Sequence, residues 1–157
     1  MANIPHQVTE FLRSKRIAIA GVSRDSHQPA NLIYRKLKSA GYNVFAVNPS
    51  AAKVEGDVCY HDLHSVPPPI DAVMVATHPN VTQKVVRESV DLGIKKVWLH
   101  RSFGEGSVSS QAVQTCKENG VDCIVGGCPM MYCEPVDFGH RCMKWMLNLT
   151  KKFPDNS

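Results

Sequence analysis

The chain has 157 residues, 43% of them hydrophobic and 20% charged, with a formal net charge of +4. That is one domain's worth of chain with enough apolar material to bury a core unaided, so a single domain over 1–157 is expected. Lys and Arg are scattered rather than clustered, which argues against nucleic acid, and no apolar stretch is long enough to span a bilayer, so small anions are the expected partners.

The N-terminal residues Met1 to His6 lack the apolar run of a secretory leader, so a cytoplasmic protein is expected. Cys59, Cys116, Cys123, Cys128, Cys133 and Cys142 then read as reduced thiols. Val8, Phe11 and Leu12 have helical spacing, predicting a short amphipathic helix over His6 to Ser14.

Arg16-Ile17-Ala18-Ile19-Ala20 follows, too short for a helix and apolar on both faces, as in a central parallel strand. It stops at Gly21, where a missing β-carbon permits a sharp turn, and Val22, Ser23 and Arg24 lead into a polar stretch. A second helix is predicted from about Asn31 to Ala40, with Ile33, Leu37 and Ala40 on one stripe and Tyr34, Arg35, Lys36 and Lys38 mostly outside it. Strand, glycine turn and helix together form a phosphate-binding geometry, because backbone N–H groups and the positive helix end face the turn.

The second strand is Asn43 to Val47, halted by Asn48-Pro49; a polar loop through Lys53 and a brief extended piece at Val58 to Tyr60 come next. Leu63 to Pro69 reads as a linker stiffened by three prolines. The third strand, Asp71 to Ala76, breaks at Thr77-His78-Pro79, and Asn80 is the expected cap of the helix carrying Val81, Val85 and Val86. Lys96 to Leu99 is the fourth strand, emptying into a polar loop that begins His100-Arg101. A helix with Ala112, Val113 and Cys116 leads to the fifth strand, Asp122 to Val125. One more helix, about Phe138 to Leu149, is expected to cover an edge or to build a homo-oligomer.

Alternating strands and helices specify an α/β fold, a doubly wound parallel sheet in three α/β/α layers, with five strands in the expected order 3-2-1-4-5. The crevice is then expected between the first and fourth strands, at their carboxyl ends. Gly21 to Arg24, Asn48 and Pro49, Ala76 to Pro79, His100 to Ser102, and Gly126 to Pro129 converge there. A dinucleotide fingerprint is incomplete: Ser23 and Ser26 occupy the second and third glycine positions, and Asn48 stands where an acid would hold the ribose.

Gly21-Val22-Ser23-Arg24, Asn48-Pro49, Cys59-Tyr60 with Leu63 before the proline linker, Ile70-Asp71, Gly93 with Val97-Trp98-Leu99, and Gly127-Cys128-Pro129 together resemble the small stand-alone CoA-binding proteins. These are similar in turn to the Rossmann-like CoA-binding domain of the succinyl-CoA synthetase α-subunit. The resemblance covers about 11–129, leaving 130–157 as a helical extension, and it implies CoA or an acyl-CoA as the ligand. It implies a pyrophosphate near Ser23, Arg24 and Asn31, an adenosine past Asn48, Pro49 and Lys53, and the remaining arm past Ala76, Thr77, His100 and Arg101. The synthetase's phosphohistidine lies in a second domain with no expected counterpart here, so binding without catalysis is the expectation.

Cys128, at the predicted crevice rim, is a candidate for a mixed disulfide with the CoA thiol, while Cys128, Cys133, His140 and Cys142 match a zinc site poorly. The alternatives are an NAD(P)- or other nucleotide-dependent oxidoreductase using the same crevice, and an oligomer-building module without a nucleotide.

Overall fold

The computed structural model describes residues 5–101 and 106–132. Helix α1 spans His6–Leu12, strand β1 Arg16–Ala20, α2 Pro29–Ser39, β2 Asn43–Val47, β3 Lys53–Val54 and β4 Asp57–Tyr60. A 3-10 turn at Leu63–Ser65 precedes β5 (Ala72–Val75), α3 (Pro79–Asp91), β6 (Lys96–Leu99), α4 (Ser110–Glu118) and β7 (Asp122–Val125). The predicted helix at Phe138 to Leu149 lies outside the described residues.

The sheet has seven strands in the order β3-β4-β2-β1-β5-β6-β7, all parallel except for β3, which is antiparallel to β4. This corrects the expected five strands and the order 3-2-1-4-5. β5, the third strand of the sequence reading, lies beside β1, with Ile17 opposite Ala72 and Ala20 opposite Val75. The place beside β2 is taken by β4, where Ala46 faces Cys59 and Val47 faces Tyr60.

The return segment is fastened toward β1 as well. The Asp71 carboxylate accepts from the Arg16 N–H at 2.9 Å, and the Arg16 guanidinium donates to the Pro69 and Pro67 carbonyls at 2.6 and 2.8 Å. The winding direction therefore reverses between β1 and β5, so no crevice exists between the first and fourth strands.

Side-chain alternation along the strands feeds two cores. Ile17, Ile19, Met74, Trp98 and Ile124 face α1 and α2, packing with Phe11, Ile33, Tyr34 and Leu37. Ala18, Ala20, Val73, Val75, Val97 and Leu99 face α3 and α4, packing with Val85, Val86, Ala112 and Cys116. Trp98 is fully buried, meets Phe11 edge-on at 5.2 Å, and donates its indole N–H to the Gly126 carbonyl at 2.8 Å.

Three helix details differ from the sequence reading. Both α2 and α3 begin with proline in the first turn, Pro29 and Pro79, where the missing N–H costs no hydrogen bond. The cap of α3 is His78, whose ring accepts from the Asn80 N–H at 3.3 Å, so Asn80 lies inside the helix rather than capping it. On α2, Ala40 is exposed, whereas Tyr34 is 2% exposed with its hydroxyl donating to Asp57 at 2.7 Å.

Candidate functional site

At the end of β1 the chain turns through Gly21, at φ 105°, with its N–H bonded to the Val47 carbonyl. A β-carbon there would stand 2.3 Å from the Ala76 carbonyl oxygen and 2.8 Å from its carbon. Only glycine permits β1 and β5 to end this close together.

Above that contact lies a cleft of about 400 Å³, open to solvent, in the size range of small-molecule sites. Ala20, Gly21, Ser23 and Gln28 line it from the β1 side, and Val47, Asn48 and Pro49 from the end of β2. Ala76, Thr77 and His78 border it beyond β5, and Val81, Lys84, Val85 and Glu88 line it from α3, with His61 and Asp62 alongside.

The lining is held in place from outside. Asn48 donates its amide to the Val22 carbonyl at 3.0 Å and accepts from the Ser50 N–H at 2.8 Å, which fixes the β2 end relative to the glycine turn. Thr77 is tied down by Ser107, whose hydroxyl donates to the Thr77 carbonyl, while the fully buried Thr82 donates to the Ser107 carbonyl at 2.7 Å.

Both acids lining the cleft, Glu88 on α3 and Asp62 before the 3-10 turn, are engaged with backbone. Glu88 accepts from the Leu63 N–H at 3.0 Å. Asp62 accepts from the Ser65 hydroxyl and N–H at 2.8 and 2.9 Å, and these bonds hold its carboxyl below the usual carboxylate range. The Lys84 ammonium stands 3.9 Å from Glu88.

Of the thirteen residues singled out in the sequence, Gly21, Ser23, Asn48, Pro49, Ala76, Thr77 and His78 line this cleft. Val22 is fully buried in the α2-side core, with only its carbonyl serving the site, through Asn48. Arg24 is exposed next to Ser23, and Lys53 is exposed on β3, outside the lining. Asn31 is fully buried, accepting from the Ser23 N–H at 2.9 Å and donating to the Ser23 carbonyl at 2.7 Å; it supports the turn from behind.

His100 is 7% exposed, with its N–H bonded to the Val75 carbonyl. Arg101 pairs with Gly127 and borders a separate polar hollow with Gln83 and Ser109. Cys128 is 2% exposed in the α2-side core, packed with Met131 and Tyr132, which removes it from any crevice rim and from exchange with a bound thiol. Cys133, His140 and Cys142 lie outside the described residues.

Gln28, His61, Asp62, Val81, Lys84, Val85 and Glu88 were missed by the sequence reading. The available signal was the spacing of Val81, Lys84, Val85 and Glu88, which puts them on one face of a helix starting beside the crevice.

A sheet wound in both directions from β1 and β5, with its opening over their carboxyl ends, belongs to the Rossmann-like α/β class, in which such openings hold small ligands. Among the described residues, no helix is long and apolar enough to cross a membrane. The chain belongs to the CoA binding domain family, whose model matches residues 15–134.

Protein YneT of Bacillus subtilis is 28% identical over 123 residues, covering 78% of this chain and 88% of that one. The ADP-forming acetate–CoA ligase II of Archaeoglobus fulgidus is 30% identical over 83 residues, which span 52% of this chain and 12% of the ligase. A protein from Pyrococcus horikoshii has the same fold at TM-score 0.76 and 26% identity, covering 87% of this chain and 98% of its own. One from Thermus thermophilus matches at TM-score 0.69 and 26% identity, covering 78% and 90% respectively.

Proposed function

We propose that the chain binds CoA or an acyl-CoA in the cleft above β1, β2 and β5, without catalysing a reaction on it. The observation that carries this reading is the cleft itself, lying above the Gly21 turn where β1 and β5 end close together and sized for part of a nucleotide-containing ligand. Membership of a CoA binding domain family supplies the ligand class.

In this reading the diphosphate lies at the Gly21 to Ser23 turn with Arg24 beside it. The adenosine runs past Asn48 and Pro49, and the pantetheine arm past Ala76, Thr77 and His78. Lys53, Asn31 and His100 drop out as direct contacts because of where they lie. The oxidoreductase alternative has less support, because Asn48, the residue that follows β2, is an amide already bonded to Val22 and Ser50.

Thermal shift and calorimetric titration with CoA, acetyl-CoA, NAD, NADP and ATP test the proposal, since a ligand of the native state raises the melting temperature by mass action. Val81 is 41% exposed at the cleft, in the first turn of α3, where an added carboxylate suits the helix dipole but opposes an anionic ligand. Val81→Glu is expected to weaken CoA binding about tenfold, one close like-charge contact, while leaving the unliganded protein as stable as before. Stabilisation by NAD and not CoA, or unchanged CoA affinity in Val81→Glu, refutes the assignment.

A further inference from the structure

The turn from Gly21 to Gln28 that borders the cleft is held by residues that do not line it. The Asn31 side chain grips Ser23 on both its N–H and its carbonyl, and the Arg35 guanidinium donates to the Ser26 carbonyl at 3.0 Å. Asn31 and Arg35 are one helical turn apart on α2, and they converge on a single acceptor. The Glu55 carboxylate oxygen Oε1 receives the Asn31 amide at 2.8 Å and the Arg35 guanidinium at 2.7 Å.

Glu55 sits with Gly56 at the tip of the β3–β4 hairpin. Its φ of 52° is the one positive value found among the described non-glycine residues, in a region that favours glycine and asparagine. The chain thus carries a long acidic side chain at a backbone position that disfavours it, and 13% of that side chain is exposed.

A carboxylate only accepts hydrogen bonds, so Glu55 forces the NH₂ side of the Asn31 amide toward itself and leaves Oδ1 to take the Ser23 N–H. Reversing the amide would set its oxygen against both Glu55 and the Ser23 carbonyl. Ser23 and Glu55 therefore fix the amide orientation together, the hairpin carboxylate adding a third contact to the two made at the turn.

We propose that Glu55 and Arg35 are positioning residues for the cleft, holding the Ser23 to Ser26 turn in its binding conformation before the ligand arrives. The inference rests on the CoA-binding reading above and deepens it. Binding to a turn already in place avoids the cost of ordering it, so loss of the network lowers affinity without removing any ligand contact.

Glu55→Gly is the informative variant, because it deletes the carboxylate while suiting the left-handed backbone, and the fold is therefore kept. Calorimetric CoA titration is combined with hydrogen exchange of the unliganded protein. The expected result is CoA binding weakened about five- to tenfold, with faster exchange at Ser23 to Gln28 and unchanged exchange in β1 and β5. Glu55→Gln, which keeps an acceptor for Asn31, is expected to recover part of the affinity.

Unchanged affinity in Glu55→Gly overturns the positioning role. So does an affinity loss accompanied by faster exchange throughout the sheet, which marks a general loss of stability. Wild-type protein that binds no CoA refutes the binding reading itself and the positioning role with it, an outcome distinct from a wild type that binds and a variant that binds equally well.

Discussion

Replacing Gly21 by alanine puts a methyl group 2.3 Å from the Ala76 carbonyl oxygen, at a backbone φ of 105°. The obstacle is main chain of β5's continuation and cannot rotate away, so the strands must part or the turn must change. The unfavourable backbone conformation costs about 1–2 kcal/mol and the forced displacement about 1–3 kcal/mol, giving roughly 2–5 kcal/mol in all. For a chain of this size that is a fall of roughly 5–15 °C in melting temperature.

Gly41 supplies the control: its φ is 96°, but no atom beyond its own residue and chain neighbours lies within 4 Å of where its β-carbon would stand. Gly41→Ala should lose only the conformational part, about 1–2 kcal/mol. Thermal and urea unfolding of the two variants measure the difference. Equal melting temperatures would refute the argument that close approach of β1 and β5, rather than turn conformation alone, demands glycine at position 21.

Two further outcomes follow from titratable groups away from the cleft. The Asp57 carboxyl is held below its ordinary range by the Lys38 ammonium at 2.6 Å and the Tyr34 hydroxyl at 2.7 Å. With the folded value lowered, its contribution is present above the unfolded carboxylate value of about 3.9 and is lost as pH falls through the folded one, so Asp57→Asn should flatten the acid limb of the stability profile. Superimposable wild-type and variant profiles in urea titrations between about pH 5 and pH 2 would contradict this. Cys59 is 7% exposed and burial pushes its thiol up, so peptide mapping after iodoacetamide treatment should find it unmodified in native protein and alkylated in urea; rapid native alkylation would disprove the protection.

The major strands were legible because Ile17 to Ala20, Ala72 to Val75 and Val97 to Leu99 are apolar on both faces and too short for helices, as in strands covered on two sides. Their lateral order was not legible. It turns on β3 and β4, of two and four residues, too short to show a period, yet β4 occupies the place beside β2 and sends β5 to β1.

The site divided in the same way. Residues at strand ends, such as Gly21, Asn48 and Thr77, follow from the fold class, whereas Val81 and Lys84 depend on how α3 leans over the opening. Asn31 shows the limit of reasoning by residue type: a polar side chain at the start of a helix near an expected phosphate is instead consumed by the Ser23 peptide and Glu55.

Because β4 fills the outer place, the crossing from β2 to β5 includes no α-helix. Between Tyr60 and Ala72 the chain is a 3-10 turn and a proline run, anchored by Glu88 at one end and Arg16 at the other. His61 and Asp62, at the start of that strap, form one bank of the opening. Changes in its length or composition alter which molecules fit while every strand keeps its neighbours, so selectivity can diverge along these dozen or so residues on an unaltered scaffold.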